Sequence, residues 1–414
     1  MRAILTPVGS SGDVLPFVAL GAALRRRGCD VHMVVTPYFQ RHVEAEGLTF
    51  HAFGTTEQYL DTARDPKLWH PTQGLRVVAT QVAGPAMVRM YEQVAELVKP
   101  RETIVVGSIL ALGSRLLHDS TGVPFVTVHL QPSVLRSVID PPSFGFYMPR
   151  SRWGRKLFFK LADWLALDRY LRGPINAERR RLGLPPIARV EPWWHSPQRV
   201  VCLFPRWFAP PAPDWPPQVV QTGFPLADGG KAQPLTAELS RWLDAGEPPV
   251  VATFGSAMMH ADKLFAASIE ACGKIGQRVL LLTPFAEQLP AELPPHAAHF
   301  DYAPFRSLFP RAAAIIHHGG IGTTSQCLAA GRPQLIVPHS HDQPDNALRV
   351  QRLNAGLSLK PGAATPRAMA DAVRALLNDS RFIDGAAACA QRIGGDGDAV
   401  GAACDHILAF QATA

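Results

Sequence analysis

Residues 315–347 read IIHHGGIGTTSQCLAAGRPQLIVPHSHDQPDNA. The apolar run over 312–316 predicts a buried strand, and His317-His318-Gly319-Gly320-Ile321-Gly322 predicts a turn. Small residues from Thr323 to Ala330 predict a helix; Gly331 ends it, and Pro333 cannot continue it. A second apolar strand follows over 334–337. Strand, Gly-rich turn, helix and strand make one unit of a parallel sheet. Glycines let backbone come close to an anion, and a helix start aims free N–H groups and a positive dipole end at it. His317 adds a side-chain donor there, and the return strand carries His339, His341, Asp342 and Gln343 to the same edge. The combination suits a diphosphate with a hydroxyl-rich group beyond it. A Gly-rich turn by itself is often only a turn; the Asp342-Gln343 pair after the next strand is what sharpens the reading.

Working outward, the chain of 414 residues exceeds one ordinary core, so two domains are expected. Hydrophobic residues at 47% and charged residues at 18% fit a globular protein. The net charge of +7 suits phosphate, nucleic acid or anionic lipid alike. No zinc finger, aromatic RNA motif or basic tail accompanies it, which argues against nucleic acid. The cysteines Cys29, Cys202, Cys272, Cys327, Cys389 and Cys404 are scattered without paired spacing and read as reduced thiols of a cytoplasmic protein. Met1–Leu5 is too short an apolar run for a signal peptide, and no apolar run reaches transmembrane length.

Strand one is expected over 3–8, then Gly9-Ser10-Ser11-Gly12-Asp13, a helix over 14–27 closed by Gly28, and strand two over 30–35. The loop after strand one lies at the carboxyl edge, where open α/β sheets place ligands, and its glycine spacing does not fit a dinucleotide fingerprint. Further strands are expected over 104–106, 125–128 and 200–203. The run 204–217 holds too many prolines for a helix or central strand. The pattern then restarts with strands over 219–222, 249–253, 279–282 and 299–302. The expected fold is thus two doubly wound parallel-sheet α/β domains: residues 1–210, a Pro-rich linker 211–217, and residues 218–414, whose last helix packs back on the first domain.

Five motifs carry a resemblance: GSSGD (9–13), TFGS (253–256), YAPF (302–305), HHGGIGTT (317–324) and SHDQPDN (340–346). In order and spacing they resemble the family 1 glycosyltransferases of the GT-B fold, in which two Rossmann-like domains face each other across a cleft. DPKLWHP (65–71), VVGSILALGSR (105–115), HSPQRVVCLFPRWFAPP (195–211) and TGFPLADG (222–229) are similar to the rhamnosyltransferases of rhamnolipid biosynthesis. The resemblance implies inverting transfer of a sugar, L-rhamnose from dTDP-L-rhamnose, to a hydroxyl of a lipid such as a 3-hydroxyacyl-3-hydroxyalkanoate. A nucleotide sugar is then the co-substrate, with no metal and no other cofactor, and the protein is cytoplasmic with peripheral contact to the inner membrane. Other readings stay open: a polyketide or other hydrophobic aglycone as acceptor, a nucleotide-sugar epimerase, and a non-catalytic glycosyltransferase-like partner protein. Oligomeric state is not set by the sequence.

By matching position, Asp13 takes the general base, since an alcohol is too weakly acidic to ionise first; the competing reading is a helix cap. His317 takes the diphosphate, with Gly319, Gly320, Gly322 and Thr323 as the phosphate turn. Ser256 reaches it from another strand end. Tyr302 and Ala303 take the nucleobase, and Asp342 and Gln343 the sugar hydroxyls. Gly12, His129, Trp153 and Trp164 are placed on the acceptor side, together with Asp140. Relatives that use UDP-sugars carry a Glu eight residues after the phosphate His; here Ser325 stands there, followed by Gln326, which suits a deoxyribose and hence dTDP. The only Asp-x-Asp, Asp396-Gly397-Asp398, sits in a Gly-rich turn and reads as a turn.

Residues 148–172, MPRSRWGRKLFFKLADWLALDRYLR, place Trp153, Leu157, Leu161, Trp164, Leu165 and Leu171 near helical spacing beside Arg152, Arg155, Lys156 and Lys160. Such a helix either lies on an anionic membrane, lines an acyl-chain pocket, or packs on its own domain with a solvated basic edge.

Overall fold

The computed structural model describes residues 1–70, 73–226, 233–255, 258 and 260–411. Ser256, Pro71 and residues 227–229 of the motifs above lie outside them. The described residues form two compact units, Met1–Pro225 with Asp398–Ala414, and Leu226–Gly397.

The first unit is built on seven strands: β1 (Arg2–Thr6), β2 (Asp30–Val35), β3 (Thr49–Ala52), β4 (Thr103–Gly107), β5 (Phe125–His129), β6 (Val200–Cys202) and β7 (Val219–Gln221). Their order is β3-β2-β1-β4-β5-β6-β7, every neighbour parallel. β1, β4 and β5 are buried along almost their whole length, as central strands of a parallel sheet covered on both faces are. The chain runs outward from β1 to β3 and then returns to the other side of β1 as β4. The loops after β1 and β4 therefore flank a switch point at the carboxyl edge, where open α/β sheets place ligands.

The second unit repeats this plan with β8 (Val250–Thr253), β9 (Val279–Leu282), β10 (Ala297–Phe300), β11 (Ala314–His317), β12 (Gln334–Ile336) and β13 (Gly356–Ser358). Its order is β10-β9-β8-β11-β12-β13, again all parallel, with Thr253 of β8 in register with His317 of β11. Its switch point falls between those two residues.

Val219–Gln221, expected to open the second domain, is instead the edge strand of the first sheet, paired with β6. The Pro-rich run before it belongs to the first unit: Ser137 Oγ and the Val138 amide both donate to the Asp214 carboxylate at 2.7 Å. The final helix, Ala399–Gln411, lies in the first unit, packed on the helix Ser11–Arg26. Arg27 donates to the Gly401 carbonyl and pairs with Asp405, and Cys404 Sγ points to the Leu20 carbonyl. Asp398 accepts from the Gly401 amide at 2.8 Å, so it caps this helix.

Candidate functional site

In the first unit the site begins at the end of β1. The Val8 amide donates to Ser108 Oγ, from the loop after β4, at 3.2 Å, which ties the two switch-point loops. Ser10 precedes the helix Ser11–Arg26, and Asp13 stands in its first turn, not at the cap itself. The Ser10 amide and hydroxyl donate to Asp13 Oδ2 at 2.8 and 3.0 Å. Gly9 has a φ of +139°, and a Cβ there would stand 2.2 Å from Asp13 Oδ2. The carboxylate is half-buried. Tyr59 lies near enough that Asp13, after burial and Tyr38, raises its phenol pKa. Gly12 is exposed on the same turn.

The acceptor-side residues divide. His129 ends β5 but points inward, 2% exposed, with Nε2 bonded to His195 Nδ1 at 3.0 Å. Burial and the neighbouring His195 hold its pKa well below the usual imidazole range, so it is a neutral core residue and not a contact for an acceptor. Asp140 donates its amide to Ser137 Oγ at 2.9 Å in the loop that Asp214 holds. Trp153 and Trp164 are 84% and 51% exposed.

In the second unit, His317 is the last residue of β11 and fully buried. Its Nε2 donates to Gln334 Oε1 at 2.9 Å, and its Nδ1 accepts the Gly319 amide at 3.0 Å. Burial pushes its pKa down to about 4. Both ring nitrogens of His317 are thus engaged inside the protein. His318 Nδ1 is buried without a partner. Its ring lies between two glycines: a Cβ on Gly255, after β8, would come within 2.8 Å of Cε1, and one on Gly320 within 2.6 Å of Nε2. Burial first, then His317 and His339, push its pKa down to about 3, so it is neutral at pH 7. Sequence reasoning did not single out His318; the glycines on both sides of the switch point, Gly255 and Gly320, were the available signal for its packing.

The helix after the turn is Ile321–Ala329, with Gly320 as its cap, starting earlier than expected. Gly319 has a φ of +94°, and a Cβ there would strike Ile336 at 2.7 Å, so glycine is required. Gly322 and Thr323 lie in the first turn, where amides lack intrahelical partners. Asp342 takes one of them: its carboxylate accepts the Ile321 amide and, at 2.6 Å, Asn346 Nδ2, which also donates to the Gly319 carbonyl at 2.9 Å. Burial raises Asp342 to about 6 against those hydrogen bonds. Gln343 is 2% exposed, and its Oε1 accepts the His339 and Ser340 amides at 2.7 and 3.2 Å. Its carbonyl end therefore shapes the loop. Ser325 turns its hydroxyl back to the Gly322 carbonyl at 2.9 Å. Tyr302 is 62% exposed just after β10, and Ala303 is buried beside it.

Thr324 Oγ1, Ser340 Oγ and Asn346 Oδ1 join His318 Nδ1 among the buried side-chain atoms without a partner. Buried polar atoms are normally bonded; with Arg332 Nε, five such atoms come from residues 318–346. Among the described residues no three His, Cys, Asp or Glu side chains are grouped to hold a metal ion.

Residues 3–139 match the sequence family described as glycosyltransferase family 28 N-terminal domain, and residues 268–396 that described as erythromycin biosynthesis protein CIII-like, C-terminal domain. The chain is 31% identical over 397 residues to O-mycaminosyltylonolide 6-deoxyallosyltransferase of Streptomyces fradiae, covering 92% of this chain and 90% of that one. It is 30% identical over 370 residues to glycosyltransferase GtfE of Amycolatopsis orientalis, covering 86% of each. In fold it is similar to the spinosyn rhamnosyltransferase SpnG, at 20% identity and a TM-score of 0.69 over 97% of this chain and 98% of that one. Another structure of that enzyme holds thymidine diphosphate. Two all-parallel sheets, each with its candidate residues at a switch point, and relatives matched along nearly the whole chain lead to one statement: the chain belongs to the family 1 glycosyltransferases of the GT-B fold.

Proposed function

We propose that the protein transfers L-rhamnose from dTDP-L-rhamnose, with inversion, to a hydroxyl of a lipid acceptor such as a 3-hydroxyacyl-3-hydroxyalkanoate, at the surface of the inner membrane. The observation that carries the reading of a transferase is the carboxylate of Asp13, fixed at the carboxyl edge of β1 by Ser10. As the acceptor oxygen bonds to the anomeric carbon, the bond from that carbon to the diphosphate oxygen breaks. The electron pair leaves with dTDP, and the acceptor proton passes to Asp13. His318 and the first-turn amides of Ile321–Ala329 receive the diphosphate, assisted by the helix dipole. Asp342 fixes that helix start and, with the amide end of Gln343, meets the sugar; Tyr302 and Ala303 meet the base, and Ser256 remains a candidate from the β8 end.

Counting eight residues from His318 gives Gln326 as the ribose position. A neutral amide there, like Ser325 before it, offers no bidentate acceptor for two ribose hydroxyls, which favours deoxyribose. The lipid acceptor rests on the motif resemblance and on the apolar helix after residue 151. A hydrophobic aglycone is the second reading, favoured by the relative named for a deoxysugar transfer to a tylonolide. The deciding experiment incubates the purified protein with dTDP-L-rhamnose and UDP-glucose, each against hydroxylated lipids and macrolide aglycones, and reads product mass. Rhamnosyl lipid is the expected product; transfer only to the aglycones replaces the first reading with the second, and no turnover in any arm indicates a non-catalytic partner.

A further inference from the structure

The helix Arg152–Asp163 continues through the wider turns of Trp164–Arg172. Its inner side is complete: Phe159, Asp163, Leu167 and Leu171, each four residues from the last, are all buried. Its outer side repeats the same spacing with apolar side chains, Trp153 at 84% exposure, Leu157 at 68% and Leu161 at 52%, then Trp164 and Leu165. Packing inside the unit does not account for them, because the inner row already supplies the contact. Arg155 donates to the carbonyls of Pro149, Val138 and Ile139 and so folds the preceding loop against this helix. Phe146 of that loop packs on Phe158 with centroids 6.0 Å apart, and Ile139, Phe146 and Tyr147 are exposed as well. Among the described residues, eight of the twelve exposed large hydrophobics fall between Ile139 and Leu165, far more concentrated than scattered surface apolar residues.

Charge decides what this surface meets. Arg152, Lys156 and Lys160 each stand one residue before Trp153, Leu157 and Leu161, so an exposed cationic row runs beside the apolar row. The only acids in 148–172 are Asp163 and Asp168. Both are buried and paired, with Arg136 and Arg189. The helix face is therefore apolar and positive, with no exposed acid of its own to offset it. A second copy of the chain would bring like charge against like charge. An anionic bilayer fits both rows, taking the apolar side chains below its headgroups and the cations at the level of its phosphates.

We propose that the face formed by Trp153, Leu157, Leu161 and Leu165, with Phe146 and Tyr147, docks the protein in the interface of an anionic phospholipid membrane. The docking gives the lipid-acceptor reading its surface, yet it is measured without donor or acceptor, so the two can fail separately. The test is sedimentation of the full chain with vesicles of phosphatidylglycerol and phosphatidylethanolamine, against vesicles of phosphatidylcholine. Binding to the anionic vesicles is expected, with a blue shift of tryptophan emission and weakening in high salt. Lys156→Glu with Lys160→Glu should cut the affinity at least about tenfold, on the usual scale of charges beside an anionic surface. Leu157→Glu with Leu161→Glu should abolish it. Unchanged dTDP binding and thermal unfolding show that these variants are folded. No binding by the wild type, equal binding to both vesicle types, or concentration-dependent dimerisation removed by Leu157→Glu without vesicle binding would each overturn the proposal.

Discussion

Gly9 holds open the space that the Asp13 carboxylate occupies: at a φ of +139° its missing Cβ would stand 2.2 Å from Asp13 Oδ2. The candidate base is thus positioned by a residue without a side chain. Asp13→Ala is expected to lose at least about a hundredfold in rate, the scale of general-base loss, with dTDP affinity retained. Gly9→Ala should reproduce much of that loss while the carboxylate is still present, because it displaces Oδ2. Single-turnover product formation measures both, and near-wild-type rates in a folded Asp13→Ala protein would leave the residue as a helix-capping group only.

His317 and His318 should fail in opposite ways. His318→Ala is expected to weaken dTDP by roughly 1–3 kcal/mol, a lost hydrogen bond to a charged group, with little change in thermal stability. His317→Ala strands Gln334 Oε1 and the Gly319 amide inside the protein, so it should cost stability of about the same size. Calorimetric titration and thermal unfolding of both variants separate the roles; a stable His317→Ala protein that had lost dTDP binding would return the anion contact to His317.

Asp342 predicts a pH effect with a definite sign. Its carboxyl is raised from 3.8 to about 6 in the folded protein, so the folded state holds the proton more tightly than the unfolded chain. The stabilisation from that proton is full below the unfolded pKa and is lost as pH rises through about 6. Relative to Asp342→Asn, wild-type melting temperature should therefore fall between about pH 4 and about pH 6.5. A difference curve that is flat, or that rises with pH, would show that the carboxyl is not raised.

The ribose position is testable by charge. Wild-type protein is expected to bind dTDP at least as well as UDP, and Gln326→Glu should move the balance towards UDP more than Ser325→Glu does, because the Ser325 hydroxyl faces its own helix. Competition titration with the two nucleotides measures this; a larger shift from Ser325→Glu would restore the count from His317.

Glycine and proline punctuation made the strand-turn-helix unit of 315–347 legible, together with both sheets and the switch-point loop of Asp13. The choice between two adjacent histidines was not. It depends on whether β11 ends at Ile316 or His317; the strand runs through His317, whose ring Gln334 of β12 holds inside the protein. His129 illustrates the same limit at the end of β5. The Pro-rich run misled for another reason: proline bars regular structure but not burial of the segment by long-range bonds such as those of Ser137 and Val138 to Asp214. Short edge strands β3 and β13 carry little apolar signal, since each is only partly covered. The helix after residue 151 read as a single amphipathic pattern, and only the fold distinguishes its buried row from its exposed one.

The return of Ala399–Gln411 to the helix Ser11–Arg26 makes the first unit discontinuous along the chain. Residues 226–397 are, topologically, an insertion, complete before the unit that begins at Met1 has received its last helix. During synthesis the helix surface around Leu20 therefore receives its partner, the helix of Ala403, Cys404 and Ile407, only after residues 226–397 have been made. Residues 226–397 expressed alone should accordingly unfold in one cooperative transition by scanning calorimetry, and residues 1–225 alone should not; a cooperative transition in the latter would show that the returning helix is dispensable.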